Sequence, residues 1–194
     1  MSRGDASKRL VALTFDAGSG AEGTEAILSV LRQNEVHATF FLTGNWVSKF
    51  PEIARKIADS GHELGNHSVS HPRFPDISDA QMIAEVTGAE ERIKKATGAD
   101  TKPLFRAPYG AYDARVLKVL RALGYINIYW SLDSTDWREE STAASISERV
   151  LEKAENGFII VHHASPTKTA EALKVIIPGL KSKGFSIVTV SKLL

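Results

Sequence analysis

Short apolar runs alternate with amphipathic stretches along almost the whole chain, and this alternation most limits the folds open to it. Residues 10–15 read as a buried strand, and residues 22–34 follow with helical spacing at Ile27, Leu28 and Leu31. Strand-like runs recur at 37–42, 62–65, 104–105, 125–132, 158–161 and 185–190. Helical patterns lie between them at 51–60, 78–97, 113–123, 142–155 and 169–183. Ser78 and Asp113 are N-cap residues, and Gly61, Gly98, Gly124 and Gly157 stand where these helices should stop. About seven strands alternating with about six helices imply a parallel sheet covered by helices. Periodicity alone leaves two architectures, an open doubly wound sheet and a closed barrel. At 194 residues the chain is shorter than a full eight-unit barrel, about 250 residues. A barrel built from it is therefore incomplete.

Composition removes several function classes. Lys and Arg number 24 against 23 Asp and Glu, so no net field draws the chain to nucleic acid. There is no cysteine, which excludes disulfides, thiolate metal ligands and a thiol nucleophile. Any metal must sit on His, Asp or Glu. No run approaches the roughly 18 apolar residues of a membrane helix. Residues 1–8 are polar and lack the apolar core of a signal peptide. They are expected to be disordered, or foreign to the native chain, ahead of one domain over 9–194. No stretch separates a second domain, and the chain is expected to be a monomer.

Most candidate reactive side chains fall just after strand ends, where parallel α/β folds build their sites. Asp16 ends the first run, in TFDAG. His67 and His71 follow the third, in HSVSHP. Arg106 closes the fourth, in RAPYG. Asp133 and Asp136 follow the fifth, in DSTDW, and His162 and His163 end the sixth. Two imidazoles four apart, on one side of a helical turn, suit two corners of a metal site, although turn histidines bonded to backbone are an equal reading. Asp16 suits a general base or an Asx-turn; Arg106 suits a carboxylate partner or a surface position. Strand alternation puts His162 and His163 on opposite faces, so only one enters a shared site. His37 and His62 have no partner pattern and read as structural. No Gly-x-Ser-x-Gly elbow or dinucleotide glycine fingerprint is present.

In series, the stretches TFDAG, HSVSHP, RAPY, DSTDW and VHH resemble the polysaccharide deacetylase family, carbohydrate esterase family 4, over about residues 9–194. The resemblance implies an α/β fold, a distorted, incomplete (β/α) barrel. It implies hydrolysis of N-acetyl groups on peptidoglycan or chitin-like N-acetylglucosamine, with O-acetyl xylan as the alternative substrate. It places the metal, zinc by preference, on His67 and His71. It makes Asp16 the base, Arg106 the group that tunes it, His163 the general acid and Asp136 the group that orients the acid. The Tyr109 N–H helps hold the oxyanion, and Trp137 and Val161 wall the pocket. An acetylated glycan partner and an extracellular or wall-facing setting follow from the same resemblance, although the chain shows no export signal. One position departs from the pattern. The family's second aspartate, its third metal ligand, is Ala17 here. Asp16, Glu22 or water could stand in for it. The alternative is a sugar-binding pseudoenzyme with a degenerate metal site.

Overall fold

The computed structural model describes all 194 residues. Its strands are β1 (Leu10–Ala17), β2 (Thr39–Leu42), β3 (Glu63–Asn66), β4 (Leu104–Phe105), β5 (Ile126–Asn127), β6 (Leu132–Asp133), β7 (Phe158–His163) and β8 (Ser186–Ile187). All pair in parallel, in the order β5-β4-β3-β2-β1-β7-β6, with β8 beside the start of β1. The two ends of this seven-strand path do not pair with each other, so the barrel is incomplete. Helices α1 (Thr24–Gln33), α2 (Gly44–Lys49), α3 (Pro51–Asp59), α4 (Asp79–Thr97), α5 (Ala114–Ala122), α6 (Ala143–Lys153), α7 (Thr167–Ser182) and α8 (Val190–Leu193) complete the fold.

Local chemistry sets the helix ends. Ser78 and Gln81 form a reciprocal capping box on α4, and Gly98 ends that helix in the left-handed region at φ 74°. The Asp113 carboxylate accepts the Val116 N–H at 2.8 Å to start α5. Helix α2 is too short for periodicity to reveal. It forms because the Thr43 hydroxyl accepts the Trp46 N–H and Trp46 buries against Phe50.

The run 125–132 is not one strand, as its composition suggests, but two strands on opposite edges of the sheet. Pairing with β4 ends where the Ile128 N–H reaches the Phe105 carbonyl, and pairing with β7 begins where the Ser131 N–H reaches the Ile159 carbonyl. Residues 128–131 cross the open side of the barrel, and buried Ile128 helps fill its interior. The crossing is itself apolar, which hides the break. Residues 1–8 also carry structure. Arg3 bridges Phe158 in antiparallel sense, and the Gly4 N–H donates to the Gly157 carbonyl at 2.8 Å.

Alternation along β1 sorts the core. Val11, Leu13 and Phe15 join the large apolar cluster under the helices, whereas Ala12 faces inward with Phe41, Leu104 and Ile159. Thr14 and Asp16 continue that inner row. The strand thereby carries its one carboxylate to the carboxyl end of the barrel interior.

Candidate active site

A cavity of about 630 Å³ opens at the carboxyl ends of the strands. It brings together Asp16, His67, His71, Tyr109, Asp133, Trp137, Val161 and His163. Arg106 and Asp136 lie behind this lining, fully buried.

The first couple is Asp16 with Arg106. The Arg106 guanidinium donates to Asp16 Oδ1 at 2.7 Å and to the Thr14 hydroxyl at 2.9 Å, and its Nε–H donates to the Ile128 carbonyl at 3.1 Å. Phe41 lies 4.1 Å from the guanidinium carbon. Arg106 is 0% exposed, which excludes the surface-arginine reading. Burial pushes the Asp16 carboxyl up, but the charge of Arg106, aided by His67 and His163, outweighs it and holds Asp16 below its ordinary value. Asp16 is thus an ionised carboxylate whose second oxygen is free of Arg106.

The second couple is His163 with Asp136. Asp136 accepts the His163 Nδ1–H at 2.8 Å, the His163 backbone N–H at 2.8 Å and the Thr169 hydroxyl at 2.7 Å. The ring is fixed with Nε2 left over. Burial lowers His163, but the hydrogen bond and charge of Asp136 overcome this and raise it above its ordinary value. Val161, two residues earlier, also lines the cavity. His162 lies on the other face, buried and stacked on Phe15 at 5.4 Å. The opposite-face expectation for the two histidines is met.

The two candidate metal histidines do meet, their ring centroids 4.8 Å apart. They do not share a helical turn, however. Ser68 and His71 both adopt positive φ, and the segment is an irregular loop. Its shape comes from Glu85 on α4, which accepts the Val69 and Ser70 N–H groups at 2.8 Å each and the Ser70 hydroxyl at 2.7 Å. Satisfying these backbone donors with one carboxylate replaces the helical hydrogen bonds. Asn66 adds a contact by accepting the Ser68 N–H at 2.9 Å.

His67 Nδ1 bonds the Arg106 carbonyl at 2.8 Å, so Nε2 is the nitrogen presented to Asp16, whose Oδ2 lies 3.8 Å away. A carbonyl fixing one ring nitrogen and freeing the other is the usual support of a metal-binding imidazole. Burial lowers His67 to about 4, and burial also lowers His71; both are therefore neutral, as a ligand must be. No group of three His, Asp or Glu side chains is arranged to hold a metal ion. Ala17 is buried with the core and has no donor atom, and Glu22 is exposed and does not line the cavity. The two neutral imidazoles offer two nitrogen donors to a cation, and Asp16 Oδ2, 3.8 Å from His67 Nε2, is a further donor beside them.

The rim is aromatic. Tyr109 sits at φ 59° in the RAPYG turn and is 68% exposed, and Trp137 is 55% exposed. Asp133 steadies this side: its carboxylate accepts the Thr135 N–H at 2.7 Å and the Trp137 indole N–H at 3.3 Å. Trp130, which carries no motif signal, also lines the cavity. His62 is structural, its Nδ1 accepting the Ala38 N–H at 3.2 Å.

The family model described as polysaccharide deacetylase matches residues 3–128. A peptidoglycan-N-acetylglucosamine deacetylase from Bacillus cereus is 37% identical over 190 residues, covering 96% of this chain and 68% of the relative. The crystal structure of a peptidoglycan N-acetylglucosamine deacetylase in complex with 4-naphthalen-1-yl-N-oxidanyl-benzamide matches with TM-score 0.94 and 34% identity, covering 100% of this chain and 91% of that one. A family 4 carbohydrate esterase pseudoenzyme from Bacillus anthracis matches as well, with TM-score 0.95, 30% identity and coverage of 100% and 68%. A mutant of that pseudoenzyme has restored enzymatic activity. The chain spans 59 to 70% of the length of three curated relatives that it matches. No helix is long and apolar enough to cross a membrane.

Proposed function

The chain belongs to the polysaccharide deacetylase family, and we propose that it hydrolyses N-acetyl groups on a glycan built from N-acetylglucosamine, of the peptidoglycan or chitin type. One observation carries this reading: an ionised carboxylate coupled to Arg106 faces a proton-holding imidazole coupled to Asp136 across one cavity. Such a pair, with pKa values pushed apart, suits a base and an acid in the same reaction.

His67 and His71 would hold a divalent cation, zinc by preference, which when bound polarises the acetyl carbonyl and acidifies water. Asp16 takes a proton from the attacking water as its oxygen bonds to the acetyl carbon. Arg106 keeps Asp16 ionised until then. The Tyr109 N–H donates to the developing oxyanion, a contact worth about 3 kcal/mol. His163 gives its Nε2 proton to the leaving nitrogen as the carbon–nitrogen bond breaks, yielding acetate and a free amine. Asp136 holds the ring in register and balances its charge. Trp137, Trp130 and Val161 wall the acetyl group. A substrate of this kind puts the site of action at a cell wall.

The direct test is acetate release from chitooligosaccharides and peptidoglycan, with and without chelator, for the wild type and for Asp16→Asn and His163→Ala. Loss in both variants is expected, and full activity in both ends the assignment. The absence of a third ligand at Ala17 favours one second reading, a sugar-binding pseudoenzyme. Calorimetric glycan binding with no bound metal and no turnover would select it.

A further inference from the structure

Residues 1–4 cover the open side of the barrel. The crossing stretch 128–131 lies between the two unpaired ends of the strand order, so its outward backbone groups need partners from elsewhere. The first residues supply them. The Tyr129 N–H donates to the Met1 carbonyl at 2.6 Å, and the Ser131 hydroxyl donates to the Ser2 carbonyl. The Met1 nitrogen donates to the Asn127 carbonyl on β5. Trp130 lies between the two residues held in this way, and its ring lines the cavity.

The segment is fitted on both sides. Arg3 donates to Glu155 at 3.1 Å through Nη2 and to the Asn156 carbonyl at 3.0 Å through Nε, and its guanidinium carbon lies 4.8 Å from the centre of the Phe158 ring. A Cβ on Gly4 would come within 2.5 Å of the Leu193 carbonyl oxygen on α8. A Cβ on Gly157, which sits at φ 76°, would come within 2.8 Å of the Gly4 carbonyl oxygen. Glycine at both places allows this approach. The segment also joins what the sheet leaves apart, from Asn127 on β5 to Gly157 just before β7. The Ser131 hydroxyl completes the join, because it also accepts the Ile159 N–H of β7 at 3.1 Å.

We propose that residues 1–4 are a positioning strap, which fixes the backbone on either side of Trp130 and so holds that ring as a wall of the cavity. The placement of Trp130 stands on these contacts alone; its consequence for turnover rests on the deacetylase reading. A wall fixed before the substrate arrives needs little ordering on binding. Once the strap is released, the substrate must order Trp130 itself. Binding weakens, while the couples Asp16–Arg106 and His163–Asp136 stay intact.

The test begins with backbone hydrogen exchange on the wild type, which needs no variant. The Tyr129 N–H is expected to be protected, and exchange at the rate of a free loop amide overturns the strap. In the full chain, Gly4→Pro removes the N–H given to Gly157 and puts a ring where Leu193 lies. It should lower Tyr129 protection by about tenfold or more and shift or broaden the Trp130 indole N–H resonance. KM for chitooligosaccharides should rise about three- to tenfold, with kcat within about twofold. Arg3→Ala, an exposed change that leaves the core alone, should move protection and KM in the same directions. Lost Tyr129 protection with an unmoved Trp130 resonance and unchanged KM overturns the positioning role. A fall in kcat at unchanged KM, as loss of folded protein alone would give, overturns it too. If the wild type releases no acetate, the deacetylase reading falls, and the exchange and the Trp130 resonance still decide the strap.

Discussion

Replacing Asp136 by Asn changes one atom and inverts the logic of the acid. Asp136 is fully buried and accepts three hydrogen bonds, two at Oδ2 from the His163 backbone N–H and the Thr169 hydroxyl and one at Oδ1 from His163 Nδ1–H. A carboxamide fits the same space but offers a single accepting oxygen. That oxygen belongs where two donors converge, so the NH2 group turns to His163 Nδ1. Nδ1 must then accept, and the ring is driven to its neutral Nε2–H form. The imidazolium loses a hydrogen bond to a charged group, about 1.5–3 kcal/mol. This loss lowers the His163 pKa from its raised position, because the charge and hydrogen bond of Asp136 are what raise it.

The readouts are the His163 Cε1–H titration by NMR and the pH profile of kcat/KM for acetate release. In the wild type the acid works while His163 is protonated, so its raised pKa extends activity upward from pH 6.5. The base works while Asp16 is ionised, so its lowered pKa extends activity below pH 3.8. Asp136→Asn should move the alkaline limb down, leave the acid limb in place, and cost about 10²–10⁴ in kcat. A His163 titration at the wild-type position, with kcat within about threefold of wild type, would refute the coupling of acid to carboxylate.

Three further outcomes follow from the same geometry. Arg106→Met leaves Asp16 as an uncompensated buried charge and should cost about 3–5 kcal/mol of stability by urea unfolding; a loss under about 1 kcal/mol would mean that Asp16 is not held as a charge. Glu85→Gln removes the carboxylate that shapes the HSVSH loop, and should weaken zinc binding by about tenfold in a competition titration. Unchanged affinity would mean that the loop holds itself. Burial, with His37 nearby, lowers His62 to about 4, so between about pH 6.5 and 4 the unfolded chain binds a proton that the folded one refuses, and stability falls as pH falls. In His62→Gln this slope should be shallower, and an identical urea midpoint profile would remove His62 from the acid response.

What the sequence made legible was chemistry that repeats a position. Asp16, His67, Arg106, Asp136 and His163 were legible as a set because each follows or ends a short apolar run, and parallel strands bring such points to one rim. The N-caps at Ser78 and Asp113 were legible because capping is local. The break within 125–132 was hidden, because neighbour choice in a sheet leaves no trace in a continuous apolar run. Glu85 was hidden for another reason: it shapes Val69 and Ser70 from sixteen and fifteen residues away. Its one signal is a carboxylate flanking the buried stripe Met82, Val86 and Ala89 of α4. The structure brings His67 and His71 together as the spacing suggested, but by this loop rather than by a helical turn.

The presence of a family pseudoenzyme with a TM-score of 0.95 means that this fold alone says nothing about turnover. Energetic cost is what favours chemistry. Taking Asp16 and Arg106 out of water costs several kcal/mol per ion, and apolar side chains of equal volume would fill that space more cheaply. A sugar platform needs only its walls, Tyr109, Trp130 and Trp137. Neither wall nor platform calls for a carboxylate held ionised in the interior, nor for a second buried carboxylate that raises a histidine on the other side. Proton transfer calls for both. Ala17 weakens a different part, the hold on a cation, and leaves the acid–base couples untouched. The two parts therefore separate experimentally. A protein with a defective metal site and working couples should show the His163 titration of an active enzyme and respond in rate to added zinc. A binding module should show neither.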